Sequence, residues 1–187
     1  MSPRPAPDLS SRREQVLAAA RDLAESEGWA AVTVRRLAAT LGVTQPVLYT
    51  VFAGRQAVVD AVALAGFADL ADALAAAGAS PPARVRAYLG FAAAHPGVYE
   101  AMFSLPSGLP FAAEDTPEPM RRAFAGVQEV FPDGDGTRAE VAWSLLHGLA
   151  TLEAGGRLRA GRARARSELA HRLLAGEPGE PGEPGGP

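Results

Sequence analysis

The chain has 187 residues and contains no cysteine, no lysine, few aromatic side chains and no long apolar run. The lack of cysteine excludes disulfides, thiol nucleophiles and thiolate metal sites. Uncharged, mainly apolar stretches such as residues 87–99 fall short of the roughly 18 residues that a membrane span needs. Residues 1–7 include no apolar core of the kind that a signal peptide requires. Together these absences predict a soluble, cytoplasmic protein without a membrane partner.

A strongly basic overall charge is also missing, because the formal net charge is −3. This value argues against a protein that coats nucleic acid through a generally basic surface. Residues 1–60 hold seven arginines and six acidic residues, whereas residues 61–187 hold eleven arginines and fifteen acidic residues. Only residues 1–60 therefore carry a net positive charge. The use of arginine in place of lysine is also expected of a GC-rich genome, so it predicts no function by itself.

Strand signals are almost missing, and apolar residues recur at helical spacing along the whole chain. A capping box at Ser11 and Glu14 predicts the start of a first helix, and Gly28 predicts its end. The later helices are expected at about 55–77, from Ser80, at 97–104, from Thr116, from a second capping box at Thr137 and Glu140, and at 162–175. With the two short helices considered next, these patterns predict an all-α protein of about nine helices.

Two short helices close to the N-terminus are predicted to form a helix-turn-helix. Thr33 is the expected N-cap of the first of them, and Gly42 allows the tight turn that follows it. Thr44 is the expected cap of the next helix, where Pro46 lies in the first turn and its missing N–H costs little. Two short helices joined by a turn of three or four residues containing glycine are typical of DNA-binding proteins.

The first 60 residues carry a longer pattern with fixed spacing across three helices. It consists of Val16-Leu-x-Ala-Ala-x-x-Leu23, Gly28-Trp29, Thr33-Val-Arg-x-Leu-Ala-x-x-Leu-Gly-Val-Thr-Gln-Pro-Val-Leu-Tyr49, and Phe52. This pattern resembles the DNA-binding domain of the tetracycline-repressor (TetR) family of bacterial regulators. Farther along the chain, Trp143-x-x-x-His147-Gly148 resembles a motif in the C-terminal domain of one subgroup.

The resemblance implies four segments. Residues 1–9 are expected to be a disordered arm, and residues 10–70 a DNA-binding domain with the start of a connecting helix. Residues 71–176 are expected to be a helical domain that binds an effector and dimerises through about 138–158 and 162–175. Residues 177–187 contain Glu-Pro-Gly units with no apolar side chain to bury, which predicts a disordered tail.

The resemblance also implies which residues face double-stranded DNA. The expected DNA-facing residues are Thr33, Arg35, Arg36, Thr44, Gln45, Pro46, Val47, Tyr49 and Arg55. Among them, the threonines and Arg55 would face phosphates. The Gln45 amide suits adenine, and the Arg35 guanidinium suits guanine. Other interpretations stay open, because Arg35 and Arg36 would also suit a solvated helix face and Tyr49 a core position. Where many family members have a basic residue or histidine, this chain has Val51, which cannot contact phosphate.

An effector is expected, by analogy with the family, inside the helical domain and to be a small, apolar molecule. Candidate pocket residues are Phe67, Tyr88, Phe91, Met102, Phe103, Phe124, Trp143 and His147. The same aromatic residues at helical spacing also suit an ordinary core, and His147 also suits a buried, hydrogen-bonded histidine.

The resemblance implies a homodimeric repressor whose fourth helix carries the effector signal to the DNA-binding domain. No catalytic residues, cofactor or metal are expected, because no catalytic arrangement is visible and the Asp133–Gly136 segment departs from a calcium loop. Two alternatives remain: a helical carrier of small molecules without DNA binding, and a transcriptional activator.

Overall fold

The computed structural model describes residues 8–176, so the predicted tail at 177–187 and residues 1–7 of the predicted arm lie outside it. Within the described residues the chain is all-α, with nine helices and no strand, as the sequence predicts. The helices are α1 (Leu9–Glu27), α2 (Val34–Thr40), α3 (Gln45–Tyr49), α4 (Arg55–Ala76), α5 (Pro81–Ala94), α6 (Pro96–Phe103), α7 (Glu118–Gln128), α8 (Thr137–Ala154) and α9 (Ala163–Ala175). None of these described helices is both long and apolar enough to cross a membrane.

The start of α1 differs from the prediction. The Asp8 carboxylate accepts hydrogen bonds from the backbone N–H groups of Ser10 and Ser11, at 3.1 and 3.2 Å. Aspartate at this position satisfies donors that the first helical turn leaves unpaired. The helix therefore begins at Leu9, and the predicted capping box of Ser11 and Glu14 lies inside it. Asp8 and Leu9 were expected in a disordered arm, and that part of the prediction is wrong.

The start of α8 is also formed differently from the predicted capping box. The Asp133 carboxylate accepts from the backbone N–H groups of Gly136, at 2.7 Å, and Arg138. Asp135 accepts from the Thr137 N–H at 3.0 Å, and this hydrogen bond lowers the pKa of the Asp135 carboxyl. The two aspartates thus organise the turn before the helix, whose N-cap is Gly136 rather than Thr137.

Two compact units divide the described residues. The first, called the head unit here, comprises the chain up to Asp69 together with His95–Met120. The second unit comprises Leu70–Ala94 and the chain from Arg121 onward. The expected domain boundary at residues 70/71 stays a prediction, because the head unit also includes residues 95–120, which were expected in the second domain. The segment at 95–120, which includes α6, belongs to the head unit, because α6 packs against α1.

Helix α5 is central to the second unit, where it packs against both α8 and α9. The buried Arg84 of this helix donates to the carbonyl oxygens of Gly78 and Gly126 and pairs with Glu129 at 2.8 Å. A side chain at Gly126 would stand 3.1 Å from Leu74, so glycine permits a close approach there. One buried cation therefore connects three parts of the second unit through partners that satisfy its charge.

Candidate nucleic-acid interface

The helix-turn-helix forms as its sequence predicts. The Thr33 hydroxyl accepts from the Arg36 backbone N–H at 3.1 Å and caps α2. Gly42 then adopts a left-handed conformation, with φ of +64°, which lets the chain turn before α3. Thr44 occupies the N-cap position of α3 in an extended conformation, but its exposed side chain makes no capping bond. The Thr44 hydroxyl is therefore available to an external acceptor.

Helix α3 has one inward and one outward face. Leu48 is only 3% exposed and anchors the helix in the head unit. Gln45 and Pro46 are exposed, and Tyr49 is 55% exposed. The alternative that Tyr49 is a core residue is therefore excluded by its position. Val47 is half-buried between the two faces.

The two arginines of α2 differ in their surroundings. Arg35 is exposed and makes no ion pair within residues 8–176. Arg36 pairs with Glu27 at 2.8 Å, and both side chains are about half exposed. A surface pair of this kind contributes little to stability, so a phosphate could compete for the guanidinium.

Arg55, at the start of α4, has internal partners that the sequence did not reveal. Its Nε donates to the Val32 carbonyl oxygen at 2.8 Å, and its Nη2 donates to the Trp29 carbonyl oxygen at 2.9 Å. The guanidinium also lies 5.9 Å from the centre of the Trp29 ring. Arg55 therefore connects α4 to the segment that leads directly into α2. The expectation that it faces phosphate stays a prediction.

Arg13 of α1 is a residue that sequence reasoning missed. Its guanidinium donates to the Val51 carbonyl oxygen at 3.0 Å and lies 4.2 Å above the centre of the Phe52 ring. A cation thus lies beside Val51, the position where the sequence lacks the basic residue or histidine that many family members have. Only the tertiary fold brings these residues together, since 38 positions separate Arg13 from Val51.

Helix α1 and the segment that follows it make three hydrogen bonds to the start of α6 within the head unit. The Glu25 carboxylate accepts from the backbone N–H groups of Gly97 and Val98, at 2.9 and 3.0 Å. The buried Trp29 indole donates to the Gly97 carbonyl oxygen at 2.7 Å. A Cβ atom at Gly97 would stand 2.9 Å from the Ala24 backbone, so the two helices approach closely only because residue 97 is glycine.

The predicted effector residues fall into two groups, one in each unit. In the head unit, Phe67 contacts Phe103 edge-to-face with ring centres 5.3 Å apart, and Met102 is buried. In the second unit, Trp143 contacts Tyr88 and Phe124, with ring centres 5.6 and 5.8 Å apart. Each group has the edge-to-face or tilted ring geometry of an ordinary core.

The remaining two predicted effector residues also belong to the second unit. Phe91 is buried. His147 is half-buried with its Nε2 3.5 Å from the Thr151 hydroxyl, and this burial lowers the pKa of its imidazole. The assignment of all eight residues to an effector pocket stays a prediction.

Two parts of the chain match families of known proteins. Residues 16–62 match the family described as bacterial regulatory proteins, tetR family. Residues 82–176 match the family described as tetracyclin repressor-like, C-terminal domain. The finer subgroup indicated by Trp143, His147 and Gly148 stays a prediction. A comparison with curated proteins gives no significant match.

Solved structures of similar proteins share the fold over nearly the whole chain. A Rhodococcus sp. RHA1 protein of unknown function is 28% identical with a TM-score of 0.73, over 93% of this chain and 97% of its own. A tetR-family transcriptional regulator from Streptomyces coelicolor is 19% identical with a TM-score of 0.60, over 88% and 78%. A bacterial regulatory protein in the tetR family from Rhodococcus RHA1 is 20% identical with a TM-score of 0.59, over 87% and 96%. With both of its domains matched, the chain belongs to the TetR family of DNA-binding transcriptional regulators.

Proposed function

We propose that the protein is a homodimeric, ligand-responsive repressor that acts in the cytoplasm and uses α3 to read a pseudo-palindromic operator. The observation that carries this proposal is the division of α3 into a buried Leu48 and an outward face of polar and aromatic side chains. A recognition helix needs this division, since it must be held firmly while its other side chains reach base edges and phosphates.

Each outward residue has a distinct role in this proposal. Gln45 pairs with an adenine and Arg35 with a guanine, because their side chains match the hydrogen-bonding edges of those bases. Pro46 and Val47 pack against a thymine methyl group. The phosphate contacts come from Thr33, Thr44, Arg36, Tyr49 and Arg55, which fix the register without reading the sequence.

Dimerisation is supported by exposed apolar side chains on the last two helices. On α8, Val141 and Leu152 are exposed, and on α9, Leu169 and Leu173 are exposed, the last of them by 65%. Large apolar side chains on the surface of adjacent helices commonly mark an interface. A two-fold pair of head units would then favour an operator with two-fold symmetry.

The effector of this repressor is proposed to be a small, largely apolar molecule that binds among the aromatic residues described above. Helix α4 contributes residues to both compact units, which supports a role in carrying the signal. Its first residue, Arg55, bonds to the carbonyl groups of Trp29 and Val32, just before α2. A shift of α4 would therefore disturb the start of the helix-turn-helix directly.

An electrophoretic mobility assay against the upstream region of the protein's own gene tests DNA binding. We expect a specific shift for the wild type and its loss for a Gln45→Ala/Arg35→Gln double variant that keeps the wild-type melting temperature. A protein that folds as dimers but shifts no DNA would instead be a small-molecule carrier. A reporter gene measured with and without the protein separates the two regulatory modes, because an activator would raise expression where a repressor lowers it.

A further inference from the structure

A cleft of about 550 Å³ lies in the second unit among α5, α8 and α9. Its volume falls within the range of about 300–1,000 Å³ that is usual for small-molecule sites. Apolar lining comes from Leu89, Gly90 and Ala93 of α5 and from Ala163 of α9. No residue of the predicted effector set lines this cleft, so it is a candidate site of its own.

Two polar groups in the cleft lack an internal partner. Ser167 lines the cleft and is only 7% exposed, yet its hydroxyl makes no hydrogen bond within residues 8–176. Two other helical serines do bond internally: Ser26 donates to the Asp22 carbonyl oxygen at 2.7 Å, and Ser144 donates to the Glu140 carbonyl oxygen at 2.8 Å. No fully buried side-chain nitrogen or oxygen among the described residues lacks a partner, so the Ser167 hydroxyl stays accessible from the cleft, where it can bond to a ligand.

The charged residues of the cleft leave one cation unpaired. Arg164 pairs with Glu168 at 2.7 Å, and Glu153 pairs with Arg166 at 2.6 Å. Arg86 lines the same cleft, is exposed and makes no ion pair with any described residue. After internal pairing, the cleft therefore offers one positive charge beside apolar walls.

We propose that this cleft binds a small amphiphile with a single carboxylate and a short apolar chain. The Arg86 guanidinium binds the carboxylate, to which Ser167 donates a second hydrogen bond. The apolar chain lies along Gly90, where an added Cβ would meet no atom within 4 Å. The evidence for ligand binding comes from the cleft alone. Only an effect of this ligand on DNA binding rests on the proposed repressor function.

The proposed dimerisation through the leucine face of α9 would leave the cleft side of this helix free. At about 100° per residue, Leu169 and Leu173 lie about 160° and 120° around the helix from Ser167. The two leucines are exposed, whereas Ser167 is buried against the cleft. A dimer that covers the leucines would therefore leave Ser167 facing the ligand.

Calorimetric titration of the full-length protein with octanoate, in the absence of DNA, tests the site, with 1-octanol as the uncharged probe of equal chain length. We expect saturable octanoate binding at one site per chain and weaker octanol binding. Arg86→Gln should weaken octanoate binding about tenfold and leave octanol binding nearly unchanged. Arg159→Gln is the matched control, because Arg159 is an exposed arginine outside the cleft and outside both segments expected to dimerise, and it should change neither.

A second variant, Gly90→Leu, fills the cleft without touching its charges and should abolish binding of both probes. A melting temperature at or above the wild-type value would show that this variant folds, because leucine favours a helix more than glycine does. Octanoate binding that survives both Gly90→Leu and Arg86→Gln would overturn the proposal, as would no binding to the wild type.

Operator affinity measured with and without octanoate separates the site from the regulatory mode. Site-specific octanoate binding with unchanged operator affinity would support the cleft as a ligand site and show that its occupation does not regulate DNA binding. A wild-type protein that binds its operator but not octanoate would contradict the proposed ligand site and leave the proposed repressor function intact.

Discussion

The two compact units differ more in the surfaces that they expose than in the interactions inside them. In the head unit, charged and aromatic side chains bond to backbone groups, as Arg13, Glu25, Trp29 and Arg55 do. In the second unit, the buried Arg84 bonds to backbone carbonyl groups in the same way, and large apolar side chains of α8 and α9, such as Leu173, remain exposed. Very short helices such as α3 bury little apolar area and leave many backbone groups unpaired at their ends. Side-chain bonds to the backbone therefore replace part of the packing that longer helices supply.

This difference indicates what each unit requires. The head unit must present α3 at a fixed angle, so its contacts are directional and involve specific atoms. Under the proposed function, the second unit needs surfaces for another copy of the chain and for a ligand, and its exposed apolar side chains and open cleft are suited to both. Substitutions in the two units should consequently have different effects. Those in the head unit should disturb the orientation of α3, and those in the second unit should disturb dimerisation or ligand binding.

The largest effect is expected from a charge placed on the exposed face of α9. Leu173→Arg should produce a monomer whose operator affinity falls by a factor of about 10² to 10⁴, because linking two heads makes the second contact intramolecular. The melting temperature of the chain should change little, since Leu173 is 65% exposed. Sedimentation would report the mass, and a competition titration would report specificity. Arg172→Gln, which changes charge at the adjacent position, should remain dimeric. A monomeric wild type with tight operator binding would contradict this prediction.

A smaller effect is expected where α1 and α6 meet. Gly97→Ala places a Cβ atom 2.9 Å from the Ala24 backbone, so one of the helices must move. We expect destabilisation by about 1–3 kcal/mol, the usual cost of overpacking. Gly90→Ala is the matched control, since its Cβ meets open space, and it should stabilise the protein by about 0.5–1 kcal/mol. Equal melting temperatures for the two variants would show that the close approach at Gly97 is unimportant.

Substitutions of Arg55 distinguish a structural role within the head unit from a direct contact with phosphate. Arg55→Ala should destabilise the protein by about 1–3 kcal/mol, because two backbone carbonyl groups lose their donor. Arg55→Lys keeps the charge but cannot reach both the Trp29 and Val32 oxygens in the same forked geometry. If Arg55 acts through geometry, the lysine variant should also bind DNA weakly. Full operator affinity with reduced stability in Arg55→Lys would instead favour the phosphate contact.

The most local effect is expected at Gln45. Gln45→Ala should lower affinity for the best operator by about 1–3 kcal/mol and relax preference at one base position per half-site. Stability should not change, because Gln45 is exposed. Gln15→Ala makes the same substitution at an exposed glutamine of α1 and should leave base preference intact. A uniform loss of affinity across all sequences would show that Gln45 contacts the backbone of DNA rather than a base.

Most of the helices could be predicted because their signals are local. Thr33 caps α2, Gly42 turns the chain, and Pro46 lies at the start of α3, each within a few residues of its partner. The errors at α1 and α8 have a related cause. Both regions contain two competing caps within five residues, and the aspartates Asp8 and Asp133 act instead of the predicted Ser11 and Thr137.

The contacts that hold the head unit together could not be predicted, because each joins residues that are distant in sequence. The indole of Trp29 bonds to Gly97, which lies 68 positions away. The Arg55 guanidinium bonds to carbonyl oxygens 23 and 26 positions earlier. Helical periodicity identifies which face of a helix is apolar, but it does not identify the helix or the carbonyl group that this face meets. The Ser167 cleft was missed for the same reason, since three helices form it.

The internal partners of the head-unit arginines have a consequence for how the protein would search a genome. Of the three arginines expected at DNA, Arg36 pairs with Glu27 and Arg55 bonds to the backbone, while Arg35 has no ion pair within the described residues. Nonspecific affinity grows with the number of counterions that free cations release from DNA. A head with few such cations would be retained only briefly on the many sites that are not its operator. Rapid release from wrong sites would shorten the search and leave more of the protein free to occupy its operator.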